Sequence, residues 1–303
     1  MLRYAAIDVG SNAVRLLIAD ITYNENGYGF KKNTLVRVPL RLGDDAFLDH
    51  KISERKIEDL LKTMVAFKNL MDVYQVTKYL ACATSSMREA HNGQAIIKMI
   101  KESANLDLEI IAGQREANII YANHIEDSLD IRKNYLYIDV GGGSTELSVF
   151  VNKVPVASKS FDIGTIRILD NQDKEETWED MKLWVKEQTK FHKNLAGIGT
   201  GGNINKLYRM ANEKEGLPLT FLKLKSLYNQ LNSHSLKERI QVFGLNPDRA
   251  DVIIPASEIF ITLMKWTGIK QIYVPRVGMA DGIINLLIEE NLNTQLQGAG
   301  HGD

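Results

Sequence analysis

Asp139 and Glu146 frame the run Gly141-Gly142-Gly143-Ser144-Thr145 within the stretch Tyr137 to Phe150. Three successive glycines let the backbone reach positive φ and remove every Cβ from one side of a turn. Main-chain N–H groups can then converge on an anion in a concave nest. Ser144 and Thr145 add hydroxyl donors. Two carboxylates beside such a nest repel a phosphate unless a cation sits between them. Mg2+ suits that place, because it keeps several waters and takes one or two carboxylates together with phosphate oxygens. The plain alternative is a glycine-rich hairpin with two solvated acids, but such a hairpin needs one glycine rather than three.

A shorter copy of this pattern opens the chain. Ile7-Asp8-Val9-Gly10 repeats as Ile138-Asp139-Val140-Gly141, with Asp8 and Asp139 separated by 131 residues. That period is too long for a solenoid. It suits two related lobes, each opening on a strand, turn and strand that face a shared cleft. Asp8 is then a further candidate metal ligand, and Ser11 and Asn12 are candidate phosphate donors. Glu116, in the first turn of a predicted helix, is the candidate general base. A carboxylate there needs a raised pKa or a close hydrogen bond to water. An acid at a helix start is also favourable for the dipole alone. Arg41 and Arg88 are candidate phosphate clamps, since guanidinium forks bind phosphate oxygens bidentately. Arg15 alternates within a strand and can point either way. Thr200-Gly201-Gly202-Asn203 ends another strand and starts a helix, a place that suits a phosphate or nucleotide or serves as a plain turn.

The elements that position these residues follow from apolar periodicity. Arg3 to Asp8, Val14 to Thr22 and Tyr28 to Arg41 read as a three-strand meander. Ser53 to Tyr74 reads as a helix capped by Ser53, with its stripe at Ile57, Leu60, Leu61, Met64, Phe67 and Met71. Lys78 to Ala83 is a buried strand, and Thr84 to Glu89 reads as a polar loop. Asn92 to Ser103 is a helix, Leu106 to Ile111 a strand, and Gly113 opens a helix reaching about His124. The charged stretch Asp127 to Lys133 is the expected boundary, giving lobes over 1–125 and 126–303, with the final helix 279–290 able to pack back on the first. In the second lobe Leu136 to Val140, Leu147 to Val151, Lys153 to Phe161 and Leu195 to Gly199 are strands. Asp162 to Thr177 reads as a polar connection. Helices are expected over Trp178 to His192, from Ile204, and over Leu222 to Asn232, Leu236 to Phe243, Asp248 to Trp266 and Met279 to Glu290. Gln271 to Val274 is a last strand, and Gly298 to Asp303 reads as frayed. Strands alternating with helices are the α/β signature.

Composition narrows the function. The 303 residues suit two domains, and a net charge of −1 gives no general nucleic-acid or membrane surface. The single cysteine, Cys82, excludes an intrachain disulfide and points to a reducing, cytoplasmic setting. The six histidines lack paired metal-ligand spacing, which argues against zinc. No basic n-region leads an apolar stretch, and no run reaches the ~18 apolar residues of a spanning helix.

Asp8 to Arg15, Arg41-Leu42-Gly43, Ala83 to Ala90, Gly113 to Ala117 and Asp139 to Glu146, in that order, resemble the exopolyphosphatase / guanosine pentaphosphate phosphohydrolase (Ppx/GppA) family over about residues 3 to 290. The resemblance implies two ribonuclease H-like lobes of the actin-like ATPase superfamily around a central cleft. It implies Mg2+-dependent release of terminal phosphate from inorganic polyphosphate, or of the 5′ γ-phosphate from guanosine pentaphosphate. Glu116 would be the catalytic base, with Asp139 and Glu146 serving metal and catalysis. Gly141, Gly142, Gly143, Ser144, Thr145, Ser11 and Asn12 would bind phosphate, with Arg88 close to the substrate and Arg41 a weaker carry-over. Family members are often homodimers. They usually carry further acids before the base, where this chain has Gln114-Arg115. Long members add a C-terminal helical domain, so the chain resembles the short form, from which a preference for shorter polymers is expected. Two other classes share the pattern: a sugar-kinase-like phosphotransferase, which needs a sugar-binding acid and an adenosine site, and a non-catalytic polyphosphate sensor, which need not retain a base.

Overall fold

The computed structural model describes residues 2–24, 27–123, 130–192, 194–214 and 216–299. The chain begins with an antiparallel meander of β1 (Arg3–Val9), β2 (Val14–Asn24) and β3 (Gly27–Val38). Then come α1 (Leu42–Leu48), α2 (Glu54–Val73), β4 (Lys78–Ala83), α3 (Ser85–Glu89), α4 (Gly93–Ala104), β5 (Glu109–Ile110) and α5 (Gly113–Tyr121). The strands form one sheet in the order β3-β2-β1-β4-β5, with β4 parallel to β1. β1 is buried from Tyr4 to Val9, as expected of a central strand covered on both faces. Cys82 is buried in β4 as the core residue its apolar neighbours predict.

The second half repeats the plan. β6 (Asn134–Val140), β7 (Thr145–Val151) and β8 (Val154–Phe161) form the meander, followed by α6 (Thr165–Leu169), α7 (Glu175–Thr189), β9 (Leu195–Thr200) and α8 (Gly202–Ala211). Then come β10 (Leu219–Thr220), α9 (Phe221–Asn232), α10 (Leu236–Gln241), α11 (Pro247–Ala250), α12 (Ile253–Thr267), β11 (Gln271–Tyr273) and α13 (Met279–Ala299). The sheet order is β10-β11-β9-β6-β7-β8, with β9 parallel to β6. Read from the meander edge, both sheets run third, second, first strand and then a parallel strand, the ribonuclease H-like order. α12 forms the spine of this unit's core, with Ile253, Ala256, Phe260 and Leu263 fully buried.

The chain divides into two compact units. One comprises the residues up to Asn123 and those from Val277 onward, and the other is His124–Arg276. α13 belongs to the first, where it packs on β1 to β4 and on α5. The stretch from Asp127 to Lys133 lies partly outside the described residues, as does His124.

Several elements differ from the sequence expectation. β3 ends at Val38, and Leu42–Leu48 is helical. Thr84 to Glu89 is not a loop, because Ser85–Glu89 forms α3. The 162–177 connection contains α6. The helix expected over Asp248 to Trp266 is two, α11 and α12, and Gly298 lies in α13. Ser53 stands at the N-cap of α2, but its side chain makes no cap hydrogen bond. Its N–H instead donates to Asp45 Oδ2 at 2.9 Å.

Candidate functional site

In the second unit the acid pair is built by strand register. Asp139 of β6 stands directly opposite Glu146 of β7, so both side chains leave the same face of the sheet. Directly opposite Cβ atoms lie about 5 Å apart. Two carboxylates at that spacing repel by roughly 3 kcal/mol at an effective dielectric of 20. Glu146 is only 3% exposed and Asp139 is half-buried, so solvent screens neither fully. The Ser160 hydroxyl donates to Glu146 Oε1 at 2.8 Å. Among the described residues no third His, Cys, Asp or Glu joins the two acids as a metal cluster. Two carboxylates with hydroxyls and backbone amides nearby fit Mg2+, which retains waters. They do not fit zinc, which takes three or four protein ligands.

The turn between the acids is held by its carbonyls. Gly141 N–H donates back to Ser144 O at 2.9 Å. Thr165 N–H donates to Gly141 O at 3.1 Å and Ile166 N–H to Gly142 O at 2.8 Å. Gly164 must be glycine, because a Cβ there would meet Gly142 C and Gly143 C at 2.5 Å. Among the described residues, the N–H groups of Gly142, Gly143 and Ser144 donate to no backbone acceptor. The turn therefore anchors its carbonyls on the start of α6 and leaves these three amides without a backbone acceptor, which suits an anion nest. Thr145 is buried, and its hydroxyl donates to Ile163 O at 2.6 Å, so it anchors the end of β8.

Arg167 went unremarked in the sequence. Its guanidinium is buried, and Nε donates to Gly143 O at 2.6 Å. A fixed cation thus lies under the glycine turn. The available signal was a lone basic residue in Gly164-Thr165-Ile166-Arg167 after a β-prone run.

The first unit shows the same construction with different side chains. Gly10 N–H donates to Ala13 O at 3.2 Å, while Gly43 N–H donates to Ser11 O at 2.9 Å and Arg41 N–H to Asn12 O at 3.0 Å. α1 thus stands to the Ser11-Asn12 turn as α6 stands to the glycine turn. Opposite Asp8 is Arg15, not an acid. Arg15 Nη1 donates to Asp8 Oδ2 at 2.6 Å, which settles which way Arg15 points and gives Asp8 a cation from the chain itself. The Ser11 and Ser85 hydroxyls share a buried hydrogen bond of 2.9 Å, tying the turn to α3. Ser85 is a second residue that sequence reasoning missed.

Glu116 sits half-buried in the first turn of α5, with its N–H on Ala112 O at 3.0 Å. Arg88 Nη1 donates to Ile111 O at 2.8 Å, just ahead of that helix. Among the described residues this is the only acceptor of the Arg88 fork. Arg88 and Glu116 are therefore brought into one neighbourhood through the Ile111 carbonyl. Arg115 pairs with Glu109 at 2.9 Å. Arg41 is the least committed to a ligand. It takes left-handed φ at the start of α1, its Nε donates to Asp44 Oδ2 at 2.9 Å, and its carbonyl accepts from Lys56 Nζ at 2.6 Å.

Two ribonuclease H-like units, each opening on an acid–glycine turn between two antiparallel strands, define the class of this α/β protein. The chain belongs to the Ppx/GppA phosphatase family, whose model matches residues 33–290. It is 30% identical over 288 residues to the bifunctional 3-dehydroquinate synthase/phosphatase of Fusobacterium nucleatum, covering 87% of this chain and 43% of that protein. The chain thus spans less than half of that relative's length. It is 22% identical to exopolyphosphatase 1 of Mycobacterium tuberculosis, covering 93% of this chain and 87% of that protein. Among solved structures, an exopolyphosphatase from Cytophaga hutchinsonii superposes with TM-score 0.82 at 23% identity, covering 95% of this chain and 98% of that one. The Aquifex aeolicus family member gives TM-score 0.75 at 24% identity, covering 96% and 98%. At these identities the two structures establish the fold. Among the described residues, no helix is long and apolar enough to cross a membrane.

Proposed function

We propose that the chain is a Mg2+-dependent exopolyphosphatase that releases terminal orthophosphate from inorganic polyphosphate by attack of water. The observation that carries this reading is the opposed pair Asp139 and Glu146 beside a turn whose carbonyls are anchored on α6 and whose Gly142, Gly143 and Ser144 amides donate, among the described residues, to no backbone acceptor. Asp139 and Glu146 hold the Mg2+ when it is bound, with Asp8 a further candidate. The ion supplies charge neutralisation at the phosphate oxygens. Gly142, Gly143 and Ser144 receive the terminal phosphate through N–H groups, and Gly141, Thr145, Ser11, Asn12 and Arg88 are further candidate phosphate-binding residues. Glu116 takes a proton from the attacking water. The new P–O bond forms as the bridging P–O bond breaks, and the shortened polyphosphate leaves as an anion. The mycobacterial and Cytophaga relatives carry the name exopolyphosphatase, which supports this substrate class.

The test is phosphate release from medium-chain polyphosphate with Mg2+, beside guanosine pentaphosphate and ATP, for wild type and Glu116→Gln. Removing a general base lowers kcat by about 10²- to 10⁴-fold, and that loss on polyphosphate is the expected result. Guanosine pentaphosphate as the far better substrate would replace the substrate and retain the mechanism. Unchanged turnover in E116Q would remove Glu116 from the base role. Binding of polyphosphate by wild type without turnover would identify a sensor.

A further inference from the structure

We infer that Ser160 and Thr200 are positioning residues for the acid pair, holding Asp139 and Glu146 in the geometry that receives a divalent cation. The inference rests on the Mg2+ reading above. Strand register carries it. Glu146 stands opposite Ser160 on one side and Asp139 on the other, and Asp139 in turn stands opposite Thr200. Directly opposite residues leave the same face of a sheet. Strands β8, β7, β6 and β9 therefore present one row, hydroxyl–carboxylate–carboxylate–hydroxyl.

One end of the row is already engaged, with Ser160 Oγ on Glu146 Oε1 at 2.8 Å. The other end is not. Thr200 is fully buried, and among the described residues its hydroxyl has no hydrogen-bond partner. A buried hydroxyl without a partner is costly, and valine would fill the same space without that cost. Asp139 is close by: a Cβ on Gly201, the next residue, would lie 3.1 Å from Asp139 Oδ1. Gly201 takes φ +101°, so glycine is required there on two counts. The carboxylate thus leans on the turn that begins at Thr200.

The matching row of the first unit gives contrast. There Asp8 stands between Arg15 and Cys82, and Arg15 supplies its donor. Hydroxyls flank the acids only in the unit where two acids oppose each other. A hydroxyl that donates to one oxygen of a carboxylate fixes the other oxygen toward a metal, the outer-shell role that tunes metal sites. Thr200 is placed to do this for Asp139, or for a water that the cation carries, as Ser160 does for Glu146.

The experiment is calorimetric titration of the intact protein with Mg2+ alone, with melting temperatures recorded without metal. The variants are Thr200→Val, Thr200→Ser, Ser160→Ala, Asp139→Asn and Glu146→Gln. Loss of an outer-shell partner weakens metal binding about 10-fold or more. That loss is expected in T200V and S160A, with T200S near wild type and the metal-free T200V melting no lower than wild type. Wild-type Mg2+ affinity in T200V and S160A, or T200S as weak as T200V, overturns the inference. S160A stands as an independent test should T200V not fold. Loss of Mg2+ binding in D139N and E146Q upholds the acid-pair reading whatever the hydroxyl variants do. A wild type that binds no Mg2+, or acid variants that bind it unchanged, overturns that reading and the inference with it.

Discussion

At the residue scale, Arg167 supports the turn that lies between Asp139 and Glu146, its Nε donating to Gly143 O at 2.6 Å. Arg167 lies 24 residues beyond Gly143, and only the folded backbone puts its guanidinium under the turn. Arg167→Met tests that support. It leaves the buried Gly143 carbonyl without its charged donor and removes a cation from beneath the glycine turn. Hydrogen bonds to charged groups contribute about 1.5–3 kcal/mol. Transferred to the ligand, that is roughly a 10- to 100-fold rise in KM for polyphosphate. Melting temperature should fall by several degrees as well, since ~1 kcal/mol shifts a domain of this size by about 2–4 °C. Arg167→Lys should recover part of the stability but little of the KM, because an ammonium lacks the planar fork. A KM unchanged in R167M would limit Arg167 to folding. Asp139, Glu146 and the three glycines between them were candidates in the sequence by residue type alone, whereas Arg167 becomes one only through the folded backbone.

At the element scale, most long and strongly patterned segments were read correctly, whereas three short helices were missed and the helix expected over Asp248 to Trp266 is split. β4 spans Lys78–Ala83 as expected, and α2 runs Glu54–Val73 with Leu60, Met64, Phe67 and Met71 of its stripe buried. α1, α3 and α6 have 7, 5 and 5 residues and were missed. A helix of one or two turns has too few residues to display a 3.6-residue period. α1 does bury Leu42, Ala46 and Phe47, but two turns are too short for that face to stand out in the sequence. α1 and α6 form where turn carbonyls accept their first amides, and α3 forms where Thr84 O accepts from Arg88 N–H and the Ser85 hydroxyl meets Ser11. A second element-scale feature is the crossing of α13 on α5, the helix that carries Glu116. Gly282 lies so close to Ile119 of α5 that a Cβ would collide with the Ile119 carbonyl oxygen and approach its carbon at 2.8 Å. Alanine is the better helix former by about 1 kcal/mol, so propensity alone predicts that Gly282→Ala stabilises. Contact with backbone leaves no flexible atom to yield, and steric conflict outweighs propensity. The variant should melt several degrees lower and lose turnover more than substrate affinity, because the displaced helix carries Glu116, the proposed base. Equal or higher melting temperature with full activity would show that α5 accommodates the change freely.

At the scale of the whole molecule, the duplication was visible as Ile-Asp-Val-Gly at both ends of the repeat, yet the tail's place in the first unit was less evident. The reason is that α13 declares no partner in its sequence: it is apolar at Ile283, Ile284, Leu287 and Ile288, which any sheet could bury. The contacts assign it to β1, β2, β3, β4 and α5, all from the first 123 residues. Asp281 adds a polar tie, with Lys32 Nζ of β3 at 2.6 Å from its Oδ1. The second unit by contrast is one continuous segment, His124–Arg276, with its own core around Phe260 and Leu263. Removing residues 277–303 should therefore affect the two units unequally. Full burial of an aliphatic side chain contributes about 1.5–3 kcal/mol, so losing four such side chains of α13 removes as much as a typical domain's whole net stability. The truncated chain should keep a cooperative melt from the second unit while the first loses its protected amides. Amide exchange of β1 and β4 should become fast while β6 and β9 stay protected, and turnover should vanish with Glu116 no longer held. Isolated 130–276 should show the same cooperative melt as that surviving transition. Uniform loss of protection across both sheets would instead mean that the second unit depends on the first for its folding.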